Sequence, residues 1–368
     1  MSKAAQSTAS PRAHPYPTRS SSRLSASKPE PTAAPYAKER AVAIQAVIRA
    51  STLCQGVFKK LVSAETITKK DKSPVTVADF GAQAVVNNLI RAEFPEDPIV
   101  GEEDSKDLRE NAETREKVVE LANSVLDKPL SSDEILEAID YGMYEGGPKG
   151  RFWTLDPIDG TKGFLRGEQF AVALALVEDG EVKVGVLGCP NLPQKLSDPE
   201  GPRGTIFVAV RGQGAFERSL DSELETKISV SPITNVSETS FCESVEAGHS
   251  SQGEAAQIAQ LLGITRPSVR MDSQCKYGVL ARGDADIYLR LPVSATYEEK
   301  IWDHAGGSII IEEAGGKVCD IHGKPLDFSI GRTLRDNKGV IASNGSIHDA
   351  VMEAVQKVLQ KSKEEKTV

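Results

Sequence analysis

The chain alternates between stretches whose apolar residues recur every three or four positions and stretches where they cluster in short runs. Over residues 40–61, Val42, Ile44, Val47, Ile48, Leu53, Val57 and Leu61 keep helical spacing and predict a long amphipathic helix. A second helix follows Ser73-Pro74-Val75-Thr76-Val77-Ala78-Asp79, carried by Val85, Val86, Leu89 and Ile90, and it places Asp79 near its start. Ile99-Val100-Gly101 predicts a short strand running into the acidic loop Glu102-Glu103-Asp104. Residues 105–150 read as a charged insertion, helical over 116–126 and 133–139 and glycine-rich before Arg151, with no evident chemistry. Residues 152–155 suit a buried strand. Pro157, which lacks an N–H, and Gly160 interrupt the ladder directly afterwards. Asp179-Gly180 between the apolar runs 170–177 and 181–187 predicts a hairpin. Arg211-Gly212-Gln213-Gly214, after a strand at 205–210, also reads as a hairpin turn: it is an incomplete nucleotide loop with no helical segment behind it.

Beyond Ser231-Pro232 a second alternation begins. It predicts strands at 240–245, 285–291 and 339–342, and helices at 253–262, 304–314 (closed by Gly315-Gly316) and 347–359. The expected organisation is a disordered tail or targeting segment over 1–40, an N-terminal α+β domain over 41–237 and a C-terminal α/β domain over 238–368. A length of 368 residues allows two cores.

Composition narrows the function. Forty-four basic against 53 acidic residues leave a net charge of −9, which argues against nucleic acid or anionic membranes as partners. The five cysteines are scattered and form no C-x-x-C pair, so a reducing compartment is expected. No signal peptide is evident and no apolar run is read as approaching the roughly 18 residues of a membrane span, giving a cytoplasmic expectation. Residues 1–40 are rich in Ser, Pro and Ala and have no acidic residue before Glu30. A mitochondrial transit peptide is the alternative there, opposed by the prolines and the scarcity of large aliphatic residues.

The candidate chemistry sits at element edges. Trp153-Thr154-Leu155-Asp156-Pro157-Ile158-Asp159-Gly160-Thr161 puts two carboxylates and a hydroxyl on one turn, a donor set that suits Mg2+. Taken alone, Asp-Pro and Asp-Gly are equally ordinary turn dipeptides. Asp79 reads equally as a first-turn carboxylate favoured by the helix dipole, Glu102 as part of a solvated charge run, and Asp303, in Ile301-Trp302-Asp303-His304, as a helix cap.

Taken together, Gly101-Glu102-Glu103, the Trp153-to-Thr161 motif and Trp302-Asp303-His304-Ala305 resemble the magnesium-dependent, lithium-sensitive phosphomonoesterases related to inositol monophosphatase, over about residues 40–360. Within them, the stretch from Gly160 to Phe170, Val245-Glu246-Ala247-Gly248-His249-Ser250-Ser251, Asp272-Ser273-Gln274-Cys275-Lys276-Tyr277 and Tyr288-Leu289-Arg290-Leu291-Pro292 resemble the fungal 3'(2'),5'-bisphosphate nucleotidases. The resemblance implies an α+β fold, a layered αβαβα sandwich in two subdomains. It implies two or three Mg2+ ions on Glu102, Asp156, Asp159, Asp303 and the carbonyl of Ile158. Asp79 and Thr161 become the pair that takes a water's proton, and the N–H groups of Gly160 and Thr161 receive phosphate oxygens. His249, Ser273, Lys276 and Arg290, with Asp303, become the nucleotide contacts. The implied reaction is hydrolysis of adenosine 3',5'-bisphosphate, and of 3'-phosphoadenylyl sulfate in sulfate assimilation, by a monomer inhibited by Li+ and Na+. The rivals are an inositol (poly)phosphate phosphatase and a catalytically silent nucleotide-binding sensor.

Overall fold

A computed structural model describes residues 34–63, 73–245, 251–294 and 296–367. The expectations for most of the N-terminal tail and for His249 therefore lie outside the described residues. From Tyr36 onward the chain forms one compact unit. Folded structure starts earlier than residue 41, because Glu39 pairs with Arg151 at 3.0 Å and Tyr36 bonds the carboxylate of Glu178.

Helices α1 (Ala37–Ser63) and α2 (Ser73–Glu93) pack on one face of a sheet of seven strands among the described residues. These are β1 (Ile99–Gly101), β2 (Arg151–Asp159), β3 (Ala171–Glu178), β4 (Glu181–Pro193), β5 (Arg203–Val210), β6 (Gly214–Ser219) and β7 (Thr226–Ile228), side by side in chain order. Only β1 and β2 pair in parallel; both predicted hairpins, β3–β4 and β5–β6, are present. Period-two alternation divides the sheet's faces. Val172, Leu174, Leu176, Ile206 and Val208 share one core with α1 and α2, while Ala171, Ala173, Ala175, Phe207 and Ala209 turn to the opposite core. Between β1 and β2 the insertion forms α3 (Lys106–Glu110), α4 (Ala112–Asn123) and α5 (Ser132–Asp140), the last opened by a reciprocal Ser131–Glu134 capping box.

After the short helix α6 (Thr161–Arg166), the second sheet is built from β8 (Phe241–Glu243), β9 (Val269–Arg270), β10 (Ile287–Arg290), β11 (Gly316–Cys319) and β12 (Val340–Asn344), in the order β11-β12-β10-β8-β9. Helices α8 (Cys275–Ala281) and α9 (Ala305–Glu313) share the core on its inner face with Tyr288, Val340 and Ala342. On its outer face Ile287, Leu289 and Ile341 form a third core with α7 (Gln252–Leu262) and α10 (His348–Thr367). The order helix, sheet, helix, sheet, helix is the expected αβαβα sandwich.

Three local readings change. Helix α2 starts at Ser73-Pro74, where a first-turn proline forfeits no helical bond, so Asp79 lies more than a turn inside the helix and is no first-turn carboxylate. Strand β2 continues past Pro157 because a register shift against β3 between Asp156 and Asp159 absorbs it. Helix α1 is, over 37–60, long and apolar enough to cross a membrane, contrary to the expectation of no such run. Half of its apolar 18-residue window is buried, and the helix packs against α2, β3 and β4 as a core helix does.

Close approach of the middle layers depends on glycine at position 307, where a Cβ would lie 2.3 Å from ring carbons of Tyr277. Gly307→Ala tests this. The gain in helix propensity, about 1 kcal/mol, is outweighed by overpacking that forces Tyr277 aside. Overpacking of about 1–3 kcal/mol less that gain leaves a net loss of up to about 2 kcal/mol, read by chemical denaturation.

Candidate active site

One cavity of about 250 Å³ is lined by Glu102, Asp156, Ile158, Asp159, Gly160, Thr161, Ser273, Lys276, Arg290 and Asp303. They come from the loop after β1, the end of β2, the start of α6, the loop into α8, α8 itself, the end of β10 and a 3₁₀ turn (Ile301–Asp303) before α9. Ten of the expected site residues are thus brought together. Asp79 is buried behind this lining in α2, close enough for its charge to act on Asp156. Lys162, Gln274, Tyr277, Tyr288 and Tyr297 also line the cavity and were not anticipated.

The backbone around the carboxylates is tightly determined. Gly160 has φ +89, and a Cβ there would stand 2.8 Å from Cβ of Ser273, itself at φ +68. Gln274 then joins three segments. Its backbone N–H donates to Oδ2 of Asp159, its side-chain Nε2 to the carbonyl of Trp302 at 2.8 Å, and its Oε1 accepts from the N–H of Gly307 at 3.0 Å. The Glu102 loop is fixed by Gln83, whose Nε2 donates to the carbonyls of Glu103 at 2.7 Å and Ile139 at 2.9 Å and whose Oε1 accepts from the N–H of Glu103 at 3.0 Å. Gln83 stands four residues after Asp79 on the same helix face, a spacing readable from sequence. Arg332 has no such signal: it stacks over Trp302 and donates to the carbonyls of Gly101, Gly142 and Tyr144.

Electrostatically the cavity is overloaded with acid. Asp156, only 3% exposed, is pushed well above the usual carboxylate range by burial and then by Glu102, Asp159, Asp303 and Asp79. Its Oδ1 is buried without a hydrogen-bond partner. Asp303 is raised by burial and by Asp159, Glu102 and Glu299, against the opposing Arg290. Glu102 is exposed, yet the protein packed around it and the charge of Asp159 raise it, against a hydrogen bond with Asp156 and the charge of Lys300. Burial, then Glu103 and Glu102, raise Asp79; burial and Glu102 push Glu103 up to about 7.

The cationic side is organised as carefully. Nε of Arg290 pairs with Glu299 at 2.7 Å and its Nη2 approaches Asp303 at 3.6 Å. Burial would raise Glu299, but the hydrogen bond from His304 and the charge of Arg290 hold it down at about 2. His304, read from sequence only as a helix start, also meets the hydroxyl of Tyr277 through Nδ1 at 2.7 Å. Lys276, 3% exposed, is lowered by burial and donates to the carbonyls of Ser273 at 2.9 Å and Met271 at 3.4 Å.

Four carboxylates in one cavity, one of them with an orphaned buried oxygen, are the donor set a hard divalent cation satisfies. Glu102, Asp156, Asp159 and Asp303 fit such an ion. A layered α+β sandwich carrying this acidic cavity beside a buried lysine and a half-buried arginine has the form of a metal-dependent phosphatase. The chain belongs to the inositol monophosphatase family, whose model matches residues 36–360. That family is metal-dependent, typically on Mg2+. Curated relatives called 3'(2'),5'-bisphosphate nucleotidase are 53% identical in Schizosaccharomyces pombe (88% of this chain, 96% of that protein), 51% in Emericella nidulans (88% and 99%) and 47% in Oryza sativa (89% and 96%). Among solved structures, inositol monophosphatases from Anabaena (TM-score 0.56, 23% identical, 87% of this chain and 96% of that one) and Zymomonas mobilis (TM-score 0.59, 22%, 88% and 99%) share the fold.

Asp156→Asn tests the metal assignment through stability as well as turnover. Because the folded carboxyl holds its proton at a pH where the unfolded one has released it, the metal-free protein loses stability as pH rises above the ordinary carboxylate pKa of about 4. In EDTA the variant should therefore melt higher than wild type at neutral pH and show a shallower fall with pH. It should lose the stabilisation that Mg2+ gives wild type, and lose more kcat/KM than the roughly 10–100-fold typical of changes outside the ligand shell. A variant that melts no higher in EDTA and keeps its Mg2+ response refutes the assignment.

Proposed function

We propose that the protein is a Mg2+-dependent 3'(2'),5'-bisphosphate nucleotidase that hydrolyses adenosine 3',5'-bisphosphate to AMP and phosphate, and accepts 3'-phosphoadenylyl sulfate. The observation that carries this reading is the cation pair, buried Lys276 and half-buried Arg290, in the same cavity as the four carboxylates. A substrate with one phosphate to lose and one to keep needs both charge signs within reach, and the nucleotidase names of relatives 47–53% identical point the same way.

Mg2+ held by Glu102, Asp156, Asp159, Asp303 and the carbonyl of Ile158, in two or three positions, would neutralise the departing phosphate and acidify an attacking water. The chain's own residues do the rest. Asp79, whose burial raises its basicity, takes the water's proton through the hydroxyl of Thr161, a side chain oriented by its 3.4 Å contact with the carbonyl of Ile158. The N–H groups of Gly160 and Thr161 receive phosphate oxygens, while Lys276, Arg290, Ser273 and His249 hold the nucleotide and its retained phosphate. Li+ and Na+ inhibit by occupying a Mg2+ position. The protein acts as a monomer in the cytoplasm.

The family's own name makes an inositol phosphate the rival substrate. A phosphate-release assay with Mg2+ should show turnover of the adenosine bisphosphate and its sulfated form, suppressed by lithium, with inositol phosphates much poorer. Turnover of inositol phosphates alone sinks the nucleotide reading; tight nucleotide binding without release would make the protein a sensor. Lys276→Ala should raise KM for the nucleotide by about 10–100-fold, the loss of about 1.4–3 kcal/mol of charge-assisted binding, with a smaller change in kcat.

A further inference from the structure

The outer face of the second sheet carries a cluster that phosphate hydrolysis does not use. Cys319 ends β11, and His348 and Met352 stand four residues apart on one face of α10. Sγ of Cys319 lies 3.2 Å from Nε2 of His348 and 3.5 Å from Sδ of Met352. The other ring nitrogen of His348 is fixed by the hydroxyl of Ser343 at 2.7 Å, which commits Nε2 to the thiol. All three side chains are nearly but not wholly buried, at 6%, 6% and 9% exposure, and they line a cavity of about 440 Å³.

Core packing accounts for the apolar contacts of Cys319 and Met352, since both belong to the third core. It does not account for a thiol that meets both an imidazole nitrogen and a thioether sulfur at a cavity wall. A nucleophilic cysteine is excluded by the surroundings: burial and the Asp320 carboxylate push the thiol up to about 11, and burial lowers His348, so the pair is uncharged at neutral pH.

We propose that Cys319, His348 and Met352 form a binding site for a soft monovalent metal ion of the Cu(I) type, on the face of the second sheet turned away from the phosphatase cavity. Thiolate and thioether sulfur select soft ions, and the thioether favours Cu(I) over zinc. Sulfur bonded at about 2.3 Å and nitrogen at about 2.0 Å to one three-coordinate ion stand roughly 3.7–4 Å apart, so the Cys319 thiol needs to draw back from each partner by about half an ångström. Binding forms two metal–sulfur bonds and one metal–nitrogen bond and releases the thiol proton to solvent; no electron is transferred.

The test is anaerobic titration of the full chain with Cu(I) against a chromophoric Cu(I) chelator. Wild type should retain one ion per chain and melt higher with it. Cys319→Ser should abolish retention, a specific readout because Cys54, Cys189, Cys242 and Cys275 are wholly buried. Met352→Leu, a nearly volume-conserving swap that should leave the fold intact, should weaken binding about tenfold. No Cu(I) held by wild type against the chelator, or unchanged affinity in Met352→Leu, overturns the proposal. Neither result depends on what the phosphatase cavity hydrolyses.

Discussion

Mutual repulsion among Glu102, Asp156, Asp159 and Asp303 is the constraint the rest of the structure answers to. The charges of Glu102 and Asp159 raise the proton affinity of both Asp156 and Asp303, and a chain free to move would spread the four into water. They stay because each is held by an element packed for other reasons. Asp156 and Asp159 stand on an interior strand whose neighbours fill two cores, Asp303 precedes a helix jammed against Tyr277 at Gly307, and Glu102 hangs on Gln83 of a buried helix. The strain is thus borne by apolar burial far from the charges, and a bound cation converts it into affinity.

Gln274 shows how that holding is arranged. A single side chain and its own amide reach Asp159, the carbonyl of Trp302 beside Asp303, and the first turn of α9. Because the two side-chain bonds are buried, removing the amide would leave the carbonyl of Trp302 and the N–H of Gly307 unsatisfied, a cost of about 1–3 kcal/mol for each. Geometry among the carboxylates is therefore coupled to the packing of α9 between the two sheets.

Much of this was legible in the sequence. Apolar runs at residues 170–177, 181–187 and 205–210 exposed the first sheet, helical spacing exposed α1, α2, α7, α9 and α10, and the three acidic motifs marked the carboxylates. What stayed hidden is instructive. Helix α8 has seven residues, all buried, so it shows no polar face for a periodicity argument to find. Asp79 was misplaced toward a helix start because Ser73-Pro74 opens α2 earlier than the apolar repeat begins. Arg332 is more than 200 positions from Gly101, whose carbonyl it binds, and nothing local announces a contact made only by tertiary packing. Gln83 is the intermediate case, since its offset from Asp79 was in view but its partners were not.

The second sheet divides two kinds of donor chemistry. On its inner side lie Tyr288 and the cavity of hard carboxylate oxygens; on its outer side lie Cys319, His348 and Met352 in an otherwise apolar core. Hard oxygen clusters need water and opposing charge nearby, which Lys276, Arg290 and an open mouth provide. Uncharged sulfur and imidazole donors tolerate an apolar wall, because they take on charge only when an ion arrives and displaces a proton. One strand separates them by alternation alone: successive residues of β10 turn Tyr288 toward the first environment and Leu289 toward the second. A slip of one residue in β10 would exchange those faces and put Leu289 into the phosphatase core, so register there is set by the site as much as by the core.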